Sequence, residues 1–183
     1  KTADCSIAMA SGNSAAVQAS QVVLLDSDFA RMPKVVDEGR KVVNNIERSA
    51  SLFLVKNIFS FLMAIFSLAF AMSYPLRPAQ IALISAFTIG LPSFLLALEN
   101  NYNRIRGKFI PNVLSRAIPG GITDMLAVSI LVVADIVLAL GRQEVATTAT
   151  MLLVAVGMMV LYHISRPLNK FRWTVLGGSF LAL

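Results

Sequence analysis

Three polar side chains interrupt the first half of the apolar run Leu52 to Ser73. They are Lys56, Asn57 and Ser60, which at i, i+1 and i+4 share one face of a helix. In the next run, Ala79 to Leu98, Ser85 and Thr88 are i, i+3 neighbours followed by Gly90 and Pro92, a pair able to open the backbone and free carbonyl oxygens. Hydroxyl, amide and carbonyl oxygens are the donors that hard cations take, and polar groups within apolar spans are costly enough to be functional candidates. Lys56 has two readings: a fixed ammonium that neutralises an emptied ion site, or a side chain that snorkels to headgroups from near the end of its span. Asp124 and Asp135 are eleven positions apart, close to three helical turns, and so share a face of a third run. They line a hydrated path, or sit one at each interface. Glu99 closes the second run, as an entry-site carboxylate or a solvated helix end.

Other reactive residue types read as structural. His163 has no partner at metal-ligand spacing, Met158 and Met159 read as packing, and Cys5 excludes an internal disulfide and reads as a small buried residue. Asp26 and Asp28 follow an apolar run and precede Pro33, where turn and cap roles outweigh a metal pair. No confident metal site and no catalytic residue is found.

The composition says what must position these groups. Of 183 residues 56% are hydrophobic and only 14% charged, and the mean hydropathy is +0.71. A bilayer is the expected solvent. Four runs reach the roughly 20 residues that a helical span takes: 52–73, 79–98, 117–140 and 145–164, with a fifth, 173–183, cut short. The net charge of +6 reflects topology rather than nucleic acid, because the basic residues flank apolar runs with few aromatics interleaved. Arg40, Lys41 and Arg48, then Arg104, Arg106, Lys108 and Arg116, then Arg166, Lys170 and Arg172 mark one side, whereas Arg77 and Arg142 stand alone on the other. The positive-inside rule makes the first side cytosolic, with a multi-pass chain whose N-terminal part faces the cytoplasm of the cell.

Residues 1–32 read as the end of an α/β domain. Ser6 to Met9 and Val22 to Leu25 are short buried strands, with a helix between them capped at Asn13 or Ser14. From Pro33 only Gly39 breaks the helical pattern before Pro75, which predicts one helix of about 40 residues, near 60 Å at 1.5 Å per residue. Residues 33–51 form its charged stalk and 52–183 a transmembrane domain. The chain opens at Lys1 and stops inside an apolar run, so both ends read as cut.

Several stretches carry a resemblance: Ala3 to Gly12, Ala19-Ser20 and Val23 to Phe29, then Glu38-Gly39-Arg40 and Asn44-Asn45-Ile46, then Pro78-Ala79-Gln80, Thr88 to Pro92, and Pro119-Gly120-Gly121. In order and spacing they resemble the C-terminal part of the P-type ATPases. With Ser49 to Lys56, the first of them also resembles the bacterial group called cation-transporting ATPase E. The resemblance implies a mainly α, polytopic helical membrane domain, the family's fifth to ninth helices, preceded by the C-terminal end of an α/β, HAD-like phosphorylation domain. It also implies that ATP and Mg2+ act outside this chain, in the missing N-terminal part, and that the partners are the bilayer and a transported cation. Asn57, Ser85 and Thr88 fall where calcium-pump relatives place polar ligands, but Ser60 and Ile89 stand where those relatives have acidic ones. That leaves one site, for calcium or another hard divalent cation. Monovalent cations, polyamines and lipids stay open, since Lys56-Asn57 also resembles lipid-flipping members. A four-span channel or non-catalytic subunit is the rival of another class.

Overall fold

The computed structural model describes residues 3–72, 75–138 and 141–182, with Arg142 described in its backbone alone. The expected span ends at Ser73, Leu140 and Leu183, and the Arg142 charge, lie outside the described residues. Two short strands open the fold, β1 (Ile7–Met9) and β2 (Val22–Leu24), paired in parallel with Ile7 opposite Val22. Parallel strands need a crossover, and α1 (Ser14–Ala19) supplies it, its first turn closed by the Asn13 side chain accepting from the Ala15 N–H at 2.9 Å. The Asp28 carboxylate caps the single turn Phe29–Arg31, and Arg31 lies 3.5 Å from Asp26 and 3.7 Å from Asp28. Both acids therefore do turn and cap work. Cys5 is exposed, contrary to its expected burial, because it precedes β1 in a bend that no element covers.

The long helix α2 runs Met32–Ala69, with Pro33 in its first turn where no backbone donor is missed. It stops short of the expected Ser73. Ala71 takes φ 50°, its N–H reaches the Leu68 carbonyl at 3.3 Å, and the Met72 N–H reaches back to Ser67 at 2.9 Å. This is a Schellman ending, with alanine where glycine is the usual signal. Sequence reasoning looked for glycine or proline and, after Gly39, met its first stop only at Pro75.

The second span is not one helix but three joined segments: α3 (Pro78–Ile84), a π-helical stretch over Ser85–Gly90, and α4 (Leu91–Ala97). Pro92 has no N–H to give the preceding turn, and its ring crowds the carbonyl four residues back. Widening the helix relieves that conflict, and the Leu91 N–H accordingly bonds five residues back, to Ala86. The next helix, α5 (Phe109–Leu138), starts well before the expected Ala117, since Asn112, Ser115 and Arg116 interrupt the apolar residues of its first turns. Then follow α6 (Arg142–Ile164) and α7 (Lys170–Leu181), the latter capped by Asn169. Among the described residues four helical stretches are long and apolar enough to cross a membrane. Their outward faces, with Phe61, Leu68, Leu83, Phe94, Ile130 and Met151, are apolar as well, which is the pattern of helices in lipid. The chain is a multi-pass membrane protein.

Two apolar clusters hold the helices together, one around Phe59, Met63, Val128 and Leu153, the other around Leu52, Ile89, Leu96 and Leu161. The α2–α5 contact depends on a stripe along α5, Val113, Ala117, Gly120, Gly121, Asp124, Val128 and Val132, in which the glycines let the backbones close up. A Cβ on Gly121 would stand 2.6 Å from Ile58 Cγ2 and 3.1 Å from the Val55 carbonyl oxygen. Gly121→Ala is therefore expected to lower stability by about 1–3 kcal/mol. Gly39→Ala, with nothing within 4 Å of the added methyl, should raise it by about 0.5–1 kcal/mol. Thermal unfolding of the full-length protein in detergent checks both, and equal shifts would contradict the packing account.

Candidate cation site

Where the two apolar clusters meet, α2, α3, the π-helical stretch, α5 and α6 line an open cleft. Its lining is apolar except for four side chains: Lys56, Ser85, Thr88 and Asp124. Thr88 is buried and its hydroxyl donates to the Ile84 carbonyl at 2.7 Å, while Ser85 donates to Ile81 at 2.6 Å. With the hydroxyl protons spent on the backbone, both oxygens face the surroundings as acceptors only. Gly157 of α6 makes room for this arrangement, since a Cβ there would lie 3.2 Å from Thr88 Cβ. A π-helical stretch is rare and is often found at functional sites.

The expected residues are thus divided. Lys56, Ser85, Thr88 and Asp124 come together. Asn57 is exposed on another face of α2, and Ser60, half-buried, does not line the cleft. Asp124 is buried near the middle of α5. Asp135 lines a separate cleft with Met72, Leu76, Arg77 and Val145. His163 is exposed, and among the described residues no cluster of His, Cys, Asp or Glu is arranged to hold a metal.

Glu99 is neither solvated nor free. Its two oxygens accept from Arg172 Nε at 2.9 and 2.8 Å, from Arg48 Nη1 at 2.8 Å and from Asn169 Nδ2 at 2.6 Å. The Arg48 and Arg172 side chains are only 8% and 6% exposed, so both guanidiniums are spent here. Burial alone would push the Glu99 carboxyl up, but the hydrogen bonds from Arg172, Arg48 and Asn169 outweigh it and hold the group below the ordinary carboxylate range. Burial, only partly offset by the bond to Glu99, draws Arg48 down from its ordinary value. Beside this triad the Asn45 amide donates to the carbonyls of Ala97 and Glu99, and Asn44 donates to those of Asn101 and Asn103. Glu47 pairs with Arg116 at 2.9 Å. The charged part of α2 is thereby fastened to the end of α4, the following loop, α5 and α7. Sequence reasoning read Arg48 and Arg172 as topology markers only, because partners 51 and 73 positions from Glu99 leave no local signal.

No family model matches the chain. The probable cation-transporting ATPase exp7 of Streptococcus pneumoniae is 36% identical over 195 aligned positions, covering 100% of this chain and 25% of that protein. The calcium-transporting ATPase CtpE of Mycolicibacterium smegmatis is 35% identical over 199 positions, again 100% and 25%. The chain corresponds to the C-terminal part of the P-type ATPases. A P-type sodium-transporting ATPase of Toxoplasma gondii is also similar, 34% identical over 100 positions, which cover 54% of this chain and 8% of that protein. The chain spans about a quarter of the length of the first two relatives, each an ATPase and so an enzyme by name. Membership of the P-type ATPases accords with the helical membrane architecture.

Glu99→Gln removes the charge that two buried guanidiniums share, and a broken buried pair costs about 3–5 kcal/mol. Since the folded carboxyl holds its proton less tightly than the unfolded one, its contribution is complete above the ordinary carboxylate range and is lost as pH falls below it. Stability measured against pH should therefore fall more steeply in acid for the wild type than for the variant. Parallel curves would show that the triad contributes no pH-dependent stability.

Proposed function

We propose that this chain is the transport part of an ATP-driven pump, with calcium or another hard divalent cation as the substrate. The observation that carries the reading is the cleft itself, where a widened helix presents two acceptor-only hydroxyls, Ser85 and Thr88, among packed helices. Oxygen donors suit hard cations, and relatives matching over the whole chain are named calcium-transporting. Asn57 and Ser60, on the less covered flank of α2, would complete the site with residues of the full-length protein outside this chain.

In this reading residues 1–32 end a cytosolic, HAD-like phosphorylation domain, residues 33–51 are the stalk, and residues 52–183 form the transport domain in the cell membrane. ATP and Mg2+ act in the N-terminal part of the full-length protein. The unbroken α2 carries displacement of the phosphorylation domain to Lys56 and the cleft, with the Glu99 triad as the point against which the stalk bears. Lys56 acts as a built-in counter-cation, neutralising the site once the ion has left. A resident ammonium opposes a divalent ion more than a monovalent one. With the sodium-transporting relative, this makes a monovalent cation the second reading.

ATP hydrolysis by the full-length protein, assayed against a panel of cations, polyamines and lipids, tests the substrate. Calcium is expected to stimulate it, and Thr88→Ala to raise the half-activating concentration about tenfold, the equivalent of roughly 1.4 kcal/mol. Stimulation by lipid alone would reject the cation reading. Lys56→Ala should lower the half-activating concentration and the maximal rate together, because binding loses a repulsion and the emptied site loses its neutralising charge. A lysine that merely snorkels would leave both unchanged.

A further inference from the structure

Asp124 has no structural explanation as a packing residue. It occupies a register position that apolar or small residues fill elsewhere on the stripe, at Val113, Ala117, Val128 and Val132. Its side chain is only 5% exposed and its Oδ1 has no hydrogen-bond partner. Among the described residues no lysine or arginine pairs with it: the ion pairs of the chain lie at Asp26, Asp28, Asp37, Glu38, Glu47 and Glu99. A buried carboxyl without a partner is heavily penalised, and inside a bilayer no solvent relieves it. Yet it lines the same cleft as Lys56, Ser85 and Thr88.

These features have a common reading. The Ser85 and Thr88 hydroxyl protons are committed to Ile81 and Ile84, so the cleft presents oxygen lone pairs from the π-helical stretch and a carboxyl oxygen from α5. We propose that Asp124 is the anionic ligand of the cation site, closing it from α5, and that Lys56 is its counter-charge when the cation has gone. The occupant is a hard metal cation, bound by the carboxylate with the two hydroxyls. This rests on the pump reading above and adds to it a ligand from a third element.

The test uses the full-length protein, purified and reconstituted, with Ca2+ as the probe in two readouts: the half-activating concentration for ATP hydrolysis, and the rise in unfolding temperature on adding the cation. Asp124→Asn is expected to raise the half-activating concentration at least tenfold and to abolish the cation-induced thermal shift, while the shift induced by nucleotide persists and shows that the variant is folded. Asp124→Glu, which keeps the carboxyl, is expected to recover most of the response. Ser129→Ala removes another unpartnered buried oxygen of α5, outside the cleft, and should respond as the wild type does. An Asp124→Asn variant with wild-type activation overturns the assignment, as would equal losses in Asp124→Asn and Asp124→Glu, or in Ser129→Ala. A wild type that responds to no cation overturns the pump reading and this inference with it. A responding wild type matched by Asp124→Asn overturns this inference alone.

Discussion

Inside hydrocarbon a polar group has only the protein to bond with, and most of this chain's local geometry follows from that constraint. Ser85, Thr88, Thr123 and Thr150 all turn their hydroxyls back to the carbonyl four residues earlier, which spends their protons within the helix. Pro92 removes a backbone donor, and the helix before it widens rather than breaking, which keeps the chain helical across the span. Among the described residues Asp124 Oδ1 is one of several buried side-chain atoms without a partner, with the hydroxyls of Ser67, Ser93, Ser129, Ser165 and Ser179 and the Asn45 amide oxygen, and it is the carboxyl oxygen among them.

The same constraint explains the other end of the bundle. Glu99, Arg48 and Arg172 are charged and nearly covered, which is tolerable because each charge is met by opposite charge and hydrogen bonds. Arg172 also donates to the carbonyls of Ser165 and Pro167, so the turn into α7 is closed by the group that holds Glu99. Force applied along α2 would meet a fastened loop rather than a hinge. Buried pairs of this kind are also little affected by salt, unlike the exposed pairs of the stalk such as Arg40 with Asp37.

Much of the fold was legible in the sequence because length and hydropathy are strong signals in membrane chains. Four helices long and apolar enough to cross a membrane, the long helix from Pro33 and the parallel strand pair all form, and Asn13 is the one of the two cap candidates that caps α1. The failures have local causes. The end of α2 was missed because Ala71 adopts the left-handed conformation usually left to glycine, and the start of α5 because Asn112, Ser115 and Arg116 carry no hydropathy. For the site, Ser85 and Thr88 were legible as polar residues in an apolar run, whereas the placing of Lys56 with Asp124 required tertiary structure. Asn57 shows the limit of the argument from spacing: adjacent to Lys56 in sequence, it is turned about 100° away on a helix of 3.6 residues per turn.

The π-helical stretch has a further effect, on phase. A helix that bonds five residues back carries, in effect, one residue more than an α-helix of the same course, and one residue is about 100° of rotation. Everything after Gly90 is turned by that amount relative to a regular continuation of α3. The helix so turned is α4, which ends two residues before Glu99. The widening beside Thr88 and the phase of α4 therefore share a single irregularity. Straightening this segment would therefore reshape the cleft and rotate α4 in one movement.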